Sequence, residues 1–246
     1  YDNSAREWVD ANGGMTAFSF EAVNKMNQSA RNSGLDLQFR CVKYMHVDYD
    51  YGGAMSDTLR AAWNGDGVFA SVHEARDANG ADLVALLVDT GSAYGTTGTG
   101  YLLTYWDGYP DVGYSLCAIR AVAISDTMTH EVGHNLGADH SKYQTASPGP
   151  NEHLDNEYSA GWYFTGQDDG VLYHTVMAYN NDGHGNSYSP TGLFSSPLLG
   201  YKGTAAGDAA DGDNCRLITQ TKSVVANYRA TKMNIVIPPI HLLLVP

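Results

Sequence analysis

His130-Glu131-Val132-Gly133-His134-Asn135-Leu136-Gly137-Ala138-Asp139-His140 is the stretch from which the architecture of this chain can be worked out. Residues four apart on an α-helix lie one turn apart on the same face, so His130 and His134 can present two imidazole nitrogens to one metal ion. Glu131 follows His130 directly, and its carboxylate can reach a water on that metal without displacing it. A third ligand requires the helix to end and the chain to turn back. Gly137 permits the left-handed backbone of such a turn, and His140 comes three residues later. Three neutral imidazoles with one position left open is the donor set of a catalytic zinc. Five fixed positions in eleven residues arise by chance on the order of 10⁻⁴ or less, so three unrelated histidines are a poor account of the stretch.

Downstream, Thr175-Val176-Met177-Ala178-Tyr179 places a Met in an apolar run with a Tyr two residues on. The eleven-residue stretch matches the pattern His-Glu-x-x-His-x-x-Gly-x-x-His, and with Met177 the chain resembles the metzincin zinc peptidases. Further stretches resemble bacterial reprolysin-like peptidases, including the peptidyl-Asp metalloendopeptidase group: Tyr1-Asp2-Asn3-Ser4-Ala5-Arg6-Glu7, Val72-His73-Glu74-Ala75-Arg76 with Ala81-Asp82-Leu83-Val84, Phe194-Ser195-Ser196-Pro197, and Asp213-Asn214-Cys215-Arg216. Together these span most of residues 1–230. Ser141 departs from the pattern, since reprolysins usually carry Asp directly after the third His. Tyr179 resembles the zinc-approaching Tyr of astacins and serralysins.

The resemblance implies a zincin-like α/β (α+β) fold, with a twisted, mixed five-stranded sheet and helices in an N-terminal lobe (residues 1–137). That lobe includes the active-site helix, which separates it from an irregular C-terminal lobe (138–230). It implies one catalytic Zn²⁺ on His130, His134 and His140, Glu131 as general base, and a Met-turn at Met177 packed under the imidazoles. Tyr179 either ligates the zinc in the resting enzyme, donates a hydrogen bond to the oxyanion, or packs in the cleft wall. Protein or peptide substrates would bind in extended form along an edge strand near residues 101–106.

The rest of the chain gives coarser expectations. Residues 17–33 carry Phe20, Val23, Met26 and Ala30 at helical spacing, with Gly34 placed to end the helix. Residues 35–47 alternate like a half-buried strand, residues 56–63 and 68–78 suggest helices, and residues 82–88 form an apolar run suited to a central strand covered on both faces. Strands are expected at 101–106 and 115–124. A helix capped by Ser125 or Asp126 should run to about Leu136, and a last helix is expected over 221–230. Asn27-Gln28-Ser29 fits a glycosylation sequon but falls inside a helix.

Composition narrows the function classes. A formal charge of -13, from 14 Lys+Arg against 27 Asp+Glu, disfavours nucleic acid and anionic membranes as partners. Only 17% of residues are charged, with 27 Gly and 17 Tyr, which suggests a loop-rich, secreted, extracellular enzyme, and a monomer is expected. No apolar run reaches the ~20 residues of a membrane span, and no initiator Met or leader opens the chain, as in a processed product. Of three cysteines, Cys41 suits a buried strand position, leaving Cys117 and Cys215 to form a disulfide; three reduced core thiols are the alternative. Asp208, Asp211, Asp213 and Asn214 suit either a Ca²⁺ site or a solvated acidic loop. The resemblance also implies an opening buried strand, at whose end Tyr1 would sit, so that strand is expected to be missing. Residues 231–246 are either such a strand, lying beside 35–47, or a linker or pro-segment remnant. The competing function is a catalytically silent zinc-containing binding module or toxin-like domain, disfavoured because Glu131 and all three ligands are present; a non-peptidase zinc hydrolase is disfavoured by Met177.

Overall fold

Asp2 starts the first helix: its carboxylate accepts the Ala5 N–H at 2.8 Å, an N-cap for α1 (Asn3–Ala11). The structure, a computed structural model, describes residues 1–154 and 156–232. Helix α2 (Met15–Asn32) buries Met15, Phe18, Ala22, Met26 and Ala30. The helix is where the spacing places it, and Met26 and Ala30 are buried as expected, but Phe20 is not. Phe20 is 74% exposed, because Phe18 and Ala22 define a stripe that turns Phe20 outward. Gly34 ends the helix with φ +65°. Helices α3 (Met55–Asn64) and α4 (Ala70–Asn79) close on Gly65 and Gly80 in left-handed conformation, as C-terminal glycines allow.

The central sheet holds three strands: β1 (Val84–Val88), β2 (Gly98–Gly100) and β3 (Tyr114–Ala118), in the order β1-β3-β2. β1 and β3 run parallel, β2 antiparallel to β3. Among the described residues this sheet has three strands, not the five expected. Residues 35–47 join no strand, and the strand expected over 101–106 is replaced by the shorter β2, which ends at Gly100. The strand expected over 115–124 stops at Ala118 and becomes helix α5 (Ile119–Ile124). β3 is buried at every residue and carries the core between two helical layers. Leu86 and Val88 face Leu59 and Phe69 on one side; Leu87 faces Phe18 and Ala22 on the other.

Helix α6 (Thr127–Asn135) follows directly. Beyond it lie small sheets, with β4 (Tyr163–Thr165), β5 (Leu172–His174) and β6 (Ser189–Pro190) in one, and β7 (Gly200–Tyr201) with β8 (Thr204–Ala205) in another. The last helix, α7, is Asn214–Val225, starting earlier than expected because the Asp213 carboxylate caps it at the Arg216 N–H, 3.1 Å away.

All three cysteines are free, which corrects the expected Cys117–Cys215 bridge. Cys117 packs with Leu87 and Ile119, while Cys215 belongs to a different cluster with Phe194 and Ile218. Cys41 is exposed rather than buried, since its segment joins no sheet.

Candidate metal centre

Helix α6 brings His130 and His134 to one face, and a Schellman turn returns the chain. Gly137 sits at φ +91°, its N–H donates to the His134 carbonyl at 2.9 Å, and Ala138 N–H donates to the Gly133 carbonyl at 3.0 Å. The Asn151 amide holds the Gly137 carbonyl at 2.9 Å, and the Thr221 hydroxyl of α7 holds that of Leu136 at 2.7 Å. These buried bonds fix the direction in which residues 138–140 leave the helix.

The outcome is a convergence of Nε2 atoms. That of His140 lies 3.0 Å from His130 Nε2 and 3.1 Å from His134 Nε2. Each Nδ1 meets a backbone carbonyl: Val176 at 2.8 Å, Ala138 at 3.0 Å and Ser147 at 2.7 Å for His130, His134 and His140. A carbonyl can only accept, so each ring carries its proton on Nδ1 and turns an Nε2 lone pair inward. Burial holds all three imidazoles neutral: it pushes His130 down to about 3, His134 well below its ordinary value, and His140 in the same direction. Three lone pairs aimed at one point repel unless a cation lies between them, so the donor set fits a zinc ion. Among the described residues these histidines are the one group of three or more His, Cys, Asp or Glu side chains able to share a metal.

Glu131 is 6% exposed, and burial pushes its carboxyl up to about 8. It lies under strand β2: a Cβ at Gly98 would collide with its carboxylate, and one at Gly100 would come within 2.6 Å of its carbonyl oxygen. The sequence reading overlooked both glycines; their signal was the Gly-x-Gly spacing at the end of the Gly- and Thr-rich residues 91–100. Met177 is fully buried and touches α6 at Gly133, where a Cβ would sit 2.5 Å from its sulfur. Tyr179 stands at the rim, 36% exposed, with its ring centroid 4.7 Å from that of His140 and 5.9 Å from that of His130. The Gln144 side chain, also overlooked, accepts the Tyr179 N–H at 3.1 Å. Ser141 is buried, and its hydroxyl accepts the Tyr143 N–H at 3.2 Å.

The acidic cluster is divided among other partners, which leaves the calcium expectation without support. Asp211 binds Lys142 at 2.8 Å, the Asp208 carboxylate accepts the Ala210 N–H at 2.8 Å, and Asp213 caps α7.

Residues 16–141, just over half of the chain, match the family described as Metallo-peptidase family M12B Reprolysin-like. The chain belongs to that family. A Peptidyl-Asp metalloendopeptidase of Stenotrophomonas maltophilia is 27% identical over 225 residues, covering 88% of this chain and 49% of its own length. One from Xanthomonas campestris is 26% identical over 230 residues (88% and 48%), and one from Pseudomonas aeruginosa 27% over 224 residues (84% and 36%). This M12B domain thus spans about half the length, or less, of these relatives. A chain from a solved structure titled "Structure of a chaperone-substrate complex" has a similar fold, with TM-score 0.64 at 18% identity, covering 93% of this chain and 34% of the other.

Proposed function

We propose that this M12B domain is a zinc-dependent endopeptidase that cleaves internal bonds of proteins or peptides bound in extended form. The observation that carries the reading is the convergence of the His130, His134 and His140 Nε2 atoms beside the buried Glu131 carboxyl. A zinc ion bound there supplies Lewis acidity and activates water for attack on a carbonyl. The positive charge of a zinc ion held by the three imidazoles would favour the ionised form of Glu131, which would then accept the proton of the attacking water and pass it to the leaving amine. Tyr179 donates a hydrogen bond to the developing oxyanion, and Met177 supports the helix under the imidazoles. Strand β2 lies at the edge of its sheet and next to Glu131, which suits main-chain pairing with an extended substrate.

The reading takes residues 1–230 as one catalytic unit, divided at Gly137 into the two lobes, and acting as a monomer outside the cell. The acidic composition is compatible with an extracellular protein, and among the described residues no helix is long and apolar enough to cross a membrane. Cleavage beside Asp is the specificity suggested by the names of the relatives.

Casein digestion with and without a chelator tests the activity, and Glu131→Gln tests the base. The variant should retain one zinc per chain and lose activity by at least ~10²-fold. Full turnover by Glu131→Gln would remove Glu131 from the mechanism, and turnover unaffected by zinc removal would remove the metal.

A further inference from the structure

Both peptide groups that meet at Tyr179 are held by side chains from elsewhere in the chain. The Tyr179 N–H donates to the Gln144 side-chain oxygen at 3.1 Å, and the Tyr179 carbonyl accepts the Tyr163 hydroxyl at 2.8 Å. Gln144 is 3% exposed, and its amide has a single orientation. The amide nitrogen donates to the Ala146 carbonyl at 2.8 Å, and a carbonyl can only accept, so the oxygen is the atom turned to Tyr179. The Tyr163 hydroxyl also lies 3.3 Å from that oxygen. Peptide groups are planar, so anchoring the two on either side of a Cα leaves the side-chain torsions as the free motion of Tyr179.

The two anchors are themselves supported. Gln144 belongs to the turn that leaves His140 and ends at Ser147, whose carbonyl meets His140 Nδ1. The next residue, Thr145, donates its N–H to the Asp182 carbonyl at 2.9 Å. Tyr163, on β4, packs against Tyr188 with ring centroids 4.3 Å apart, and the Tyr188 hydroxyl donates to the Asp182 carboxylate at 3.1 Å. Residues 140–147, Tyr163 and residues 179–188 are thus closed into one circuit. The turn that aims His140 also fixes the main chain of the Tyr whose ring centroid lies 4.7 Å from that of His140.

We propose that Gln144 and Tyr163 are positioning residues that hold Tyr179 beside the metal centre, in place to donate to the oxyanion. The proposal rests on the zinc-peptidase reading above, and both residues act through the main chain of Tyr179. A misplacement of ~1 Å in a group that meets the transition state costs up to ~10²-fold, so a Tyr on a mobile main chain would be a poor donor. With its main chain anchored, Tyr179 moves only by turning its ring, which stands at the rim of the site, 36% exposed. Burial pushes the Tyr163 phenol up from its ordinary value, so it keeps its proton and remains a donor through the neutral range.

A double-mutant cycle between Tyr163→Phe and Tyr179→Phe in the full chain tests this, with bound zinc measured in each variant. Tyr163→Phe should lower kcat ~10-fold, part of the ~10²-fold that loss of an oxyanion donor costs, with KM within about twofold and one zinc per chain. Placed on Tyr179→Phe, it should lower kcat no further. Equal losses in both backgrounds, or no loss from Tyr163→Phe alone, would overturn the proposal. NMR of isotope-labelled tyrosine rings gives a readout that needs no turnover. The Tyr179 signal, identified as the one missing from Tyr179→Phe, should shift in Tyr163→Phe and in Gln144→Leu, while that of Tyr49 in the N-terminal lobe stays. An unmoved Tyr179 signal would also overturn the proposal. A natural chain with no zinc-dependent hydrolysis would instead overturn the peptidase reading, and the ring signal would still decide whether Gln144 and Tyr163 hold Tyr179.

Discussion

At Gly98 a single methyl group is enough to displace the Glu131 carboxylate, because strand and helix touch there with no space for a side chain. Gly98→Ala should therefore lower kcat/KM by ~10²-fold, the scale of a misplaced catalytic group, while bound zinc stays at one per chain. Steady-state assays with metal analysis check both halves. Asp182 offers a separate test. The Asn186 side chain, then the His184 and Asn186 N–H groups and the Tyr188 hydroxyl, hold its carboxyl down at about 2. Its folded value lies below the unfolded one of ~3.9, so its contribution to stability is complete above about pH 4 and disappears as pH falls toward 2. An NMR titration of the Asp182 carboxyl should show that low midpoint, and Asp182→Asn should flatten the acid limb of the stability profile.

Among the elements, α6 was the most legible, because its histidine spacing and the glycine that ends it agree; the expected cap does not, since the Asp126 side chain makes no capping hydrogen bond. The end of the helix was readable, but what secures it was not. The Thr221 hydroxyl reaches Leu136 from 85 residues away in sequence, and no local pattern encodes such a bond. Thr221→Val should cost ~1–2 kcal/mol in urea unfolding, and Gly137→Ala about 1 kcal/mol or more from its positive φ. The metal ligands could be read because a helix imposes a fixed spacing; Gly98, Gly100 and Gln144 could not, because they act by proximity across the fold. The sheet misled for a related reason. Residues 35–47 alternate correctly for a strand, yet alternation reports two faces and is silent about whether a neighbour exists to pair with.

For the molecule as a whole, stability rests on the packed clusters with no disulfide among the described residues. Thiol titration should label Cys41 in the folded protein and all three cysteines only after unfolding. Burial pushes the Cys117 thiol well up and Cys215 up to about 12, so neither supplies thiolate at neutral pH. A reducing agent should leave the melting temperature unchanged. Zinc removal should lower it, since a ligand bound only by the folded state contributes RT ln(1 + [L]/Kd).

The three imidazoles are aimed by carbonyls of Val176, Ala138 and Ser147, and a carbonyl belongs to the main chain whatever side chain is attached. No point substitution can delete these acceptors. Ser147 sits at φ +46°, so saturation mutagenesis should find it permissive for residues that accept that backbone, whereas insertion or deletion of one residue between His140 and Ser147 should abolish metal binding. For the groups that aim the imidazoles, sensitivity to change lies in loop length more than in residue identity.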